Sequence, residues 1–253
     1  MEPERITRVM GIVNVTPDSF SDGGKYFRPE EAVRRALNLI DEGADIIDIG
    51  AESTRPGSVP IPWEEEWSRL EPVLKGIGEE GRGKIGGSVP ISVDTYHPET
   101  ARLAVKAGAD MVNCVYPEPV GEMLEILREN PGVELVMPAS AWGVVCETGI
   151  GDLASRIYID PMIGFGTTRE EDLELLRSVP ELAKKARVLV GASRKRLVKK
   201  LTGEKVTGKN LGGNLGIAIW AAMNGASVVR VHDVRETFQA LKVIGAICGR
   251  ICG

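Results

Sequence analysis

Short apolar runs alternate with amphipathic helical stretches along the whole chain. The β-rich apolar runs lie near residues 8–15, 45–50, 90–93, 110–113, 133–137, 157–160, 187–191 and 227–231. Helical periodicity occurs near residues 29–42, 63–78, 98–107, 119–130, 169–185, 211–224 and 234–251. Near-continuous apolar runs separated by helices indicate parallel strands that are covered on both faces. The pattern predicts an α/β fold, a (β/α)8 TIM barrel, with residues 1–253 forming a single domain.

Polar or charged residues follow seven of the eight apolar runs. They are Asn14, Glu52 to Arg55, Asp94, Asn113, Asp160, Arg194 with Lys195, and Arg230 with His232. A closed ring of parallel strands brings all its carboxyl ends to one rim, where such barrels build their active sites. We therefore expect these side chains to share one site.

Local signals set the predicted helix bounds. Pro29 and Pro98 lie at first-turn positions, and Thr168 with Glu171 forms a capping-box pattern. Gly-Ala-Asp or Gly-Ala-Ser recurs before three strands, with glycine at the position that follows a helix, at residues 43–45, 108–110 and 225–227. Residues 79–90 are predicted to form a loop. Weak helical character between Met137 and Tyr158 predicts a shortened or missing fifth crossover helix.

Composition restricts the class of protein. The chain has 253 residues, 43% of them hydrophobic, and a net charge of −5 from 31 basic and 36 acidic residues. This balance argues against nucleic acid or an anionic membrane as a partner. The sequence has no apolar stretch near the ~20 residues of a membrane span, and its charged start is unlike a signal peptide, so we expect a cytoplasmic protein. The four cysteines, predicted to be buried small hydrophobes, are Cys114, Cys146, Cys248 and Cys252.

Two loops at the expected rim are candidates for ligand binding. Residues 14–24, after the first strand, are long and polar, as in mobile binding loops, although they also suit a series of connecting turns. Arg55 precedes Pro and Gly and therefore lies in a turn. Its planar guanidinium suits a phosphate or carboxylate, and the alternative is a surface salt bridge.

Three oxygen-bearing side chains at strand ends suit a flat ligand rich in N–H groups. Asp94, Asn113 and Asp160 offer acceptors of this kind, and carboxylates give charge-assisted bonds. Capping of the next helix and a Mg²⁺ site are the alternatives. Phe165 provides an aromatic face for such a ligand or packs in the core. Asp48, inside the second strand, is predicted to make a structural hydrogen bond.

Basic residues after the last two strands suit an anion. Ser193 and Lys195 follow strand seven, and Arg230 and His232 follow strand eight, where barrels of this class often bind phosphate. Arg230 and His232 are two residues apart, so their side chains point the same way along a strand. His97, the other histidine, is predicted to lie at the surface.

Seven motifs together resemble the dihydropteroate synthase family. They occur in the family's order along nearly the whole chain, as MGIVNVTPDSFSDGG, GADIIDIGAESTRPG, ISVDT, DMVN, DPMIGFG, GASRK and VRVHDV. The resemblance implies an enzyme that condenses 6-hydroxymethyl-7,8-dihydropterin diphosphate with an aryl amine and releases diphosphate. It also implies Mg²⁺ as cofactor and a possible homodimer.

The resemblance further implies a role for each matched residue. The pterin ring is expected on Asp94, Asn113, Met137, Asp160, Phe165 and Lys195. Diphosphate is expected on Asn14, Arg55, Arg230 and His232, with Mg²⁺ at Asn14. The aryl amine is expected near Asp18, Phe20, Thr54, Pro56 and Arg196. Catalysis is assigned to Asp94, Lys195, Arg230 and His232.

Five positions depart from the family's pattern. Cys114 replaces Asp, Pro138 replaces His, Met162 replaces Gly, Thr167 replaces Lys, and Arg196 replaces the serine associated with the carboxylate of p-aminobenzoate. The change at Arg196 and the short fifth helix favour the hypothesis of a bulkier, phosphorylated amine of the methanopterin pathway. The alternatives are a pterin-binding protein without synthase activity and a methyltetrahydrofolate-type methyltransferase domain, neither of which needs the diphosphate group.

Overall fold

Eight parallel strands form a closed barrel in a computed structural model of the chain, which describes residues 7–16, 28–52, 59–81, 89–147, 149, 151–206 and 208–249. The strands are β1 (Arg8–Asn14), β2 (Ile46–Gly50), β3 (Ile91–Asp94), β4 (Met111–Asn113), β5 (Glu134–Pro138), β6 (Ile157–Asp160), β7 (Arg187–Val190) and β8 (Val228–Val231). Each strand pairs with the next, and β8 closes the ring on β1. The predicted (β/α)8 barrel is confirmed, and no predicted strand boundary is more than one residue off.

Helices surround the barrel in the described part of the chain. They are α1 (Pro29–Asp41), α2 (Trp63–Gly81), α3 (Pro98–Lys106), α4 (Val120–Glu129), α5 (Trp142–Glu147), α6 (Arg169–Arg177), α7 (Val179–Ala183), α8 (Arg196–Thr202), α9 (Leu211–Met223) and α10 (Val234–Ile247). The fifth crossover holds only the six-residue α5 between two 3₁₀ turns, at 139–141 and 151–156. The predicted shortening is therefore confirmed.

Alternation along the strands divides the core into two layers. Because successive strand residues face opposite sides, one set fills the barrel and the other packs beneath the helices. The interior set is a separate cluster of Met10, Ile46, Met111, Val136, Tyr158, Leu189 and Val228. The residues one position away, such as Val9, Ile47 and Val112, belong to the larger cluster shared with the helices.

A group of charged residues closes the amino-terminal end of the barrel. Glu134 accepts from Arg8 (3.2 Å) and Arg187 (2.7 Å), and Tyr158 donates its hydroxyl to the same carboxylate (3.0 Å). Both guanidinium groups also lie over the Tyr158 ring, at 5.5 and 5.2 Å from its centre. These four side chains bond to one another, as expected of the stabilising face of such a barrel.

The Gly-Ala-Asp repeat has a structural reason. Gly43, Gly108 and Gly225 have φ near +100°, a conformation that ends the preceding helix at little cost for glycine. The aspartate that follows then accepts from a neighbouring strand, Asp45 from the Val9 amide (2.7 Å) and Asp110 from the Ile91 amide (2.9 Å). The repeat therefore fixes where each strand begins beside its neighbour.

The predicted caps are present. Pro29 and Pro98 lie in the first turns of α1 and α3, and Thr168 forms a capping box with Glu171. Among the cysteines, Cys114 is buried as predicted, whereas Cys146 and Cys248 are exposed, so the prediction of burial was wrong for both. Cys252 lies outside the described residues.

The predicted helices differ from the structure in four places, one of which is that α10 ends at Ile247 and does not continue to residue 251. The single helix expected at 169–185 is two helices, because Pro180 in the first turn of α7 has no N–H to continue the ladder of α6. Helix α2 continues through Gly81, so residues 79–81 are not loop. The short helix α8 was not predicted, since its two turns between Lys195 and Gly203 are too short to establish a period.

No helix of the described residues has both the length and the apolar character needed to span a membrane.

Met162 has a left-handed backbone, with φ of +69°, at one of the positions that depart from the family's pattern. A Cβ costs about 1–2 kcal/mol in this conformation. We expect Met162→Gly to be more stable than Met162→Ala by about 1 kcal/mol, because both remove the side chain and only glycine removes the Cβ. Urea denaturation of the two variants measures the difference. Equal midpoints would show that the backbone is not strained there.

Candidate functional site

The polar residues predicted from the strand ends meet at the carboxyl-terminal rim of the barrel. Gly50, Asp94 and Asn113 are paired in register on β2, β3 and β4, and their side-chain positions face the interior. Gly50 gives Asp94 its space, because a Cβ there would come within 3.3 Å of the Asp94 Cβ. Gly191 lies beside Arg230 and Asp160, since a Cβ built there would be in ordinary van der Waals contact with both at 3.8 Å.

An ion-pair network joins β2, β3, β4 and β8 inside the mouth of the barrel. Arg230 donates from Nη2 to Asp94 Oδ2 (2.7 Å) and from Nε to Asp48 Oδ2 (2.6 Å). Asn113 Nδ2 donates to the same Asp48 oxygen (3.2 Å). The structural hydrogen bond predicted for Asp48 is therefore confirmed, and acidic and cationic residues share one cavity.

Lys195 forms the other side of the cavity. Its ammonium donates to the Ile163 carbonyl (2.6 Å) and lies 4.2 Å from the centre of the Phe165 ring, a cation–π distance. Gly164, with φ of +80°, admits the lysine stem, since a Cβ there would come within 2.9 Å of Lys195 Cδ. The loop after β6 therefore brings Phe165 beside the ammonium, at the edge of the site.

Burial and charge shift the proton affinities of this cluster. Burial raises the pKa of Asp94 to about 7, against the opposing effect of Arg230. Burial also raises the pKa of Asp160, which Lys195 counteracts. Burial lowers the pKa of Lys195 to about 8, although Asp160 partly restores it. Perturbed groups that face one cavity are typical of functional sites.

His232 is oriented from two sides. Its Nδ1 lies 3.1 Å from Ser193 Oγ, which also accepts from the His232 backbone amide (3.3 Å). Its carbonyl accepts from Arg35 (3.2 Å). The contact with Ser193 holds the ring, so Ser193 is a site residue that the sequence named only as a possible anion contact.

A second network fixes the backbone beneath His232. Arg194, with φ of +59°, donates through its guanidinium to Asp233 and through its amide to Asn214 (3.0 Å). Asn214 Nδ2 donates in turn to Asp233 (3.2 Å). The ends of β7 and β8 are thereby tied to α9, which holds Ser193 and His232 in place.

The other predicted site residues differ in where they lie. Asn14 ends β1 in register with Gly50, on the rim. Met137 is fully buried in the layer between barrel and helices, one residue out of phase with the interior Val136, and this placement argues against the predicted contact with a pterin. Arg196 is exposed at the first position of α8. The residues that lie outside the described part are Asp18, Phe20, Thr54, Arg55 and Pro56.

Two of the departures from the family's pattern contact each other. Arg196 donates to the Thr167 carbonyl, and Thr167 donates through its hydroxyl to the buried Asp172. Asp172 also accepts from the Gly164 amide (2.6 Å). On this side of the rim, Thr167 and Arg196 therefore hold the loop that follows β6.

Two other departures have packing roles. Cys114 is buried, its thiol lies 3.4 Å from the Tyr116 carbonyl, and burial raises its pKa to about 12. Pro138 ends β5 opposite Asp160, where it offers no side-chain polar group.

Of a polar cluster beside the rim, the sequence indicated only Glu52. Tyr96 donates to Glu52 (2.6 Å), whose second oxygen lies 3.5 Å from His97 Nε2. The buried Glu66 accepts from Thr95 (2.7 Å). His97 was predicted to lie at the surface and is instead only 20% exposed, because the ring of Tyr96 covers it at 4.3 Å. A histidine before proline at a helix start carries no sequence signal of that contact.

The described residues contain no group of three or more His, Cys, Asp or Glu side chains placed to hold a metal ion. Mg²⁺ is commonly bound by one or two protein oxygens together with substrate phosphates. Asn14, half-buried at the rim, supplies an amide oxygen that fits this second mode.

The arrangement suits a planar ligand with an anionic substituent. Asp94, Asn113 and Asp160 offer oxygen acceptors for ring N–H groups, and Lys195 and Arg230 add donors. His232 directly follows β8, which carries Arg230, and it lies in the direction of the open rim. A ring at the barrel mouth would therefore point its substituent toward two basic residues.

Comparison with known proteins gives concordant results. The chain matches the family described as pterin binding enzyme over residues 10–141 and 144–232. It is 36% identical over 247 residues to the dihydropteroate synthase of Staphylococcus haemolyticus, covering 90% of each chain.

Solved structures agree. The Xanthomonas albilineans dihydropteroate synthase with 4-aminobenzoic acid superposes with a TM-score of 0.85 at 39% identity, covering 98% of this chain and 95% of that one. The Anaplasma phagocytophilum dihydropteroate synthase with 6-hydroxymethylpterin-monophosphate superposes with a TM-score of 0.82 at 31% identity, covering 96% and 99%. With the fold, the cavity and the matched residues in agreement, the chain belongs to the pterin-binding enzyme family, among the dihydropteroate synthases.

Proposed function

We propose that this enzyme joins an aryl amine to the exocyclic methylene of 6-hydroxymethyl-7,8-dihydropterin diphosphate and releases diphosphate. The observation that carries the proposal is the 2.7 Å contact between Arg230 and Asp94, which brings a cation suited to diphosphate onto an acid suited to the pterin. The two solved relatives bear 4-aminobenzoic acid and a phosphorylated pterin, the two kinds of substrate that this reaction needs.

The pterin ring is assigned to the acidic side of the cavity. Asp94 and Asp160 would accept from its amino and ring N–H groups, Asn113 would complete the edge, and Lys195 would donate to its oxo group. Charge-assisted bonds of this kind are about twice as strong as neutral ones. The face of Phe165, already against the Lys195 ammonium, would lie beside the ring.

The diphosphate is assigned to the basic side. Arg230 and His232 would stabilise the charge that develops as the carbon–oxygen bond breaks, with Arg55 as a further cation. The bond pair leaves with diphosphate, the nitrogen lone pair of the amine forms the new bond to carbon, and the amine proton is released to solvent. Because the amine is already a nucleophile, catalysis rests on positioning and electrostatic stabilisation.

Magnesium is proposed to bind together with the diphosphate. The Asn14 amide oxygen would be one ligand and phosphate oxygens would supply others. When bound, the ion neutralises part of the charge on the leaving group.

A cytoplasmic location, expected from the sequence, remains a prediction.

The proposed amine is p-aminobenzoate, with Arg196 receiving its carboxylate. Arg196 is an exposed cation one residue after Lys195, anchored by its bond to the Thr167 carbonyl. The same cation supports the alternative drawn from the sequence, a phosphorylated aryl amine of the methanopterin pathway, because phosphate and carboxylate both suit a guanidinium.

Diphosphate release across a panel of aryl amines tests the activity and identifies the amine. We expect turnover with p-aminobenzoate, slower turnover with aniline, and no better turnover with a phosphorylated aminobenzene. Preference for the phosphorylated amine would transfer the assignment to the methanopterin pathway. Absence of release with every amine, while the pterin still binds, would make the chain a binder without synthase activity.

Substitution at Arg196 tests the amine contact. We expect Arg196→Ala to raise the KM for p-aminobenzoate about tenfold with little change in kcat, because the lost contact acts on binding. Lys200→Ala, which removes another exposed cation from the same helix, is the control and should change neither constant. Unchanged KM in both variants would place Arg196 outside the amine site.

The pH profile of kcat/KM for the pterin diphosphate tests the cluster. Asp94 accepts N–H groups as a carboxylate, so activity should rise through about pH 7, and Lys195 donates as an ammonium, so it should fall above about pH 8. Lys195→Arg should retain the acid limb and lose the alkaline one, because arginine does not titrate in this range. A flat profile between pH 6 and 9 would contradict these roles.

A homodimer is proposed to form through the outer faces of α9 and α10. Met223, Val243 and Ile247 are large apolar residues that remain more than half exposed there, at 53%, 59% and 75%. A second copy would cover this face by two-fold symmetry, the commonest arrangement for soluble homo-oligomers. Sedimentation should give a dimer for the wild type and a monomer for Val243→Asp, with the neighbouring Lys242→Ala, which changes the net charge by the same amount, as the control. Monomeric wild type would overturn the proposal.

A further inference from the structure

Asp48 is a buried carboxylate that the proposed reaction does not use. It lies in the middle of β2, one interior position below Gly50, and its side chain is 0% exposed. The position is in the layer where most strands contribute apolar residues to the barrel. Burying a carboxylate there is costly unless its oxygens are well paired.

One Asp48 oxygen serves two site residues. Oδ2 accepts from Arg230 Nε at 2.6 Å and from Asn113 Nδ2 at 3.2 Å. The other oxygen, Oδ1, is buried and has no hydrogen-bond partner in the described part of the chain. Both hydrogen bonds that Asp48 accepts therefore come from residues of the site, Arg230 and Asn113.

The contact with Asp48 fixes the orientation of the Arg230 guanidinium. Nε and Nη2 lie on one edge of the planar guanidinium, and that edge is divided between Asp48 and Asp94. With this edge fixed, Nη1 is the group turned away from both carboxylates. Asp48 also fixes the amide of Asn113, because the group that donates to it is Nδ2, which leaves Oδ1 as the acceptor.

We propose that Asp48 is a positioning residue that couples the two halves of the site, holding Arg230 toward the leaving diphosphate and Asn113 toward the pterin ring. The inference rests on the proposed function. It adds a residue that links the diphosphate side of the site to the pterin side. Asp48 touches no substrate. It acts through Arg230 and Asn113, so its removal should affect the pterin diphosphate and spare the amine.

The charge of Asp48 gives the proposal a second signature. Burial is the main cause of the high pKa of Asp94, and the negative charge of Asp48 raises it further, while Arg230 lowers it. Neutralising Asp48 removes its repulsion of the negative charge on Asp94. It also removes the carboxylate that competes with Asp94 for Arg230. Both effects lower the pKa of Asp94, so the acid limb of the pH profile should move to lower pH.

Asp48→Asn is the test, with Asp45→Asn as the matched control. Asp45 precedes β2 and bonds the Val9 amide at the opposite end of the barrel, so its loss should reduce stability and leave activity unchanged. We expect Asp48→Asn to lower kcat/KM for the pterin diphosphate about 100-fold. The KM for the amine should change less than twofold, and the acid limb should shift down.

Binding of the pterin diphosphate, followed by calorimetry without amine, separates the two proposals. Wild type that binds but releases no diphosphate would refute the proposed reaction, and weaker binding by Asp48→Asn would still support the positioning role. Asp48→Ser, which keeps an oxygen acceptor in a smaller side chain, is the second variant. An unchanged pH profile and unchanged binding, or failure of both variants to fold, would assign Asp48 to stability alone and overturn the proposal.

Discussion

Burial of opposite charges in the mouth of the barrel is the constraint on which the rest of the site depends. Three carboxylates, those of Asp48, Asp94 and Asp160, share this space with the two cations of Arg230 and Lys195. Burial by itself would lower the pKa of Arg230, and the carboxylates raise it above its ordinary value. The carboxylate charges counteract the effect of burial on the cations, the cation charges counteract it on Asp94 and Asp160, and a polar substrate finds its partners already oriented.

The two ends of the barrel use charge for different purposes. At the amino-terminal end, Glu134 is shared by Arg8, Arg187 and Tyr158, and each contact is internal. At the carboxyl-terminal end the acids are only partly matched by cations, so acceptors remain for a ligand. The interior apolar layer around Val136 separates the two groups. This division lets the rim vary, as it does at Thr167 and Arg196, without disturbing the closure of the sheet.

The strands were predictable because burial on both faces leaves a continuous apolar signal, and the rim residues because parallel strands put their ends together. Five rim residues were therefore located from the sequence, namely Asp94, Asn113, Asp160, Lys195 and Arg230. Met137 was not, since the phase of a side chain on a strand buried on both faces has no sequence signature. Short elements were also missed. Helix α8 is an example, because its two turns are too few for a 3.6-residue period to be recognised.

Tertiary partners were the least predictable feature. Nothing near Asp48 in sequence indicates that it meets Arg230, 182 residues away, or Asn113, 65 residues away. His97 was predicted to lie at the surface because Glu52, which follows β2, comes close to it only when β2 and β3 pair. Ser193 was recognised as part of a motif, but its contact with His232 depends on the neighbouring ends of β7 and β8.

The central claim is that one cavity holds the ring by its acids and the leaving group by its cations. A crystal structure of the enzyme with 6-hydroxymethylpterin diphosphate tests it most directly. We predict the ring within hydrogen-bonding distance of Asp94 and Asp160 and the diphosphate against Arg230 and His232. A ring bound elsewhere on the barrel, or a diphosphate directed away from β8, would contradict the account.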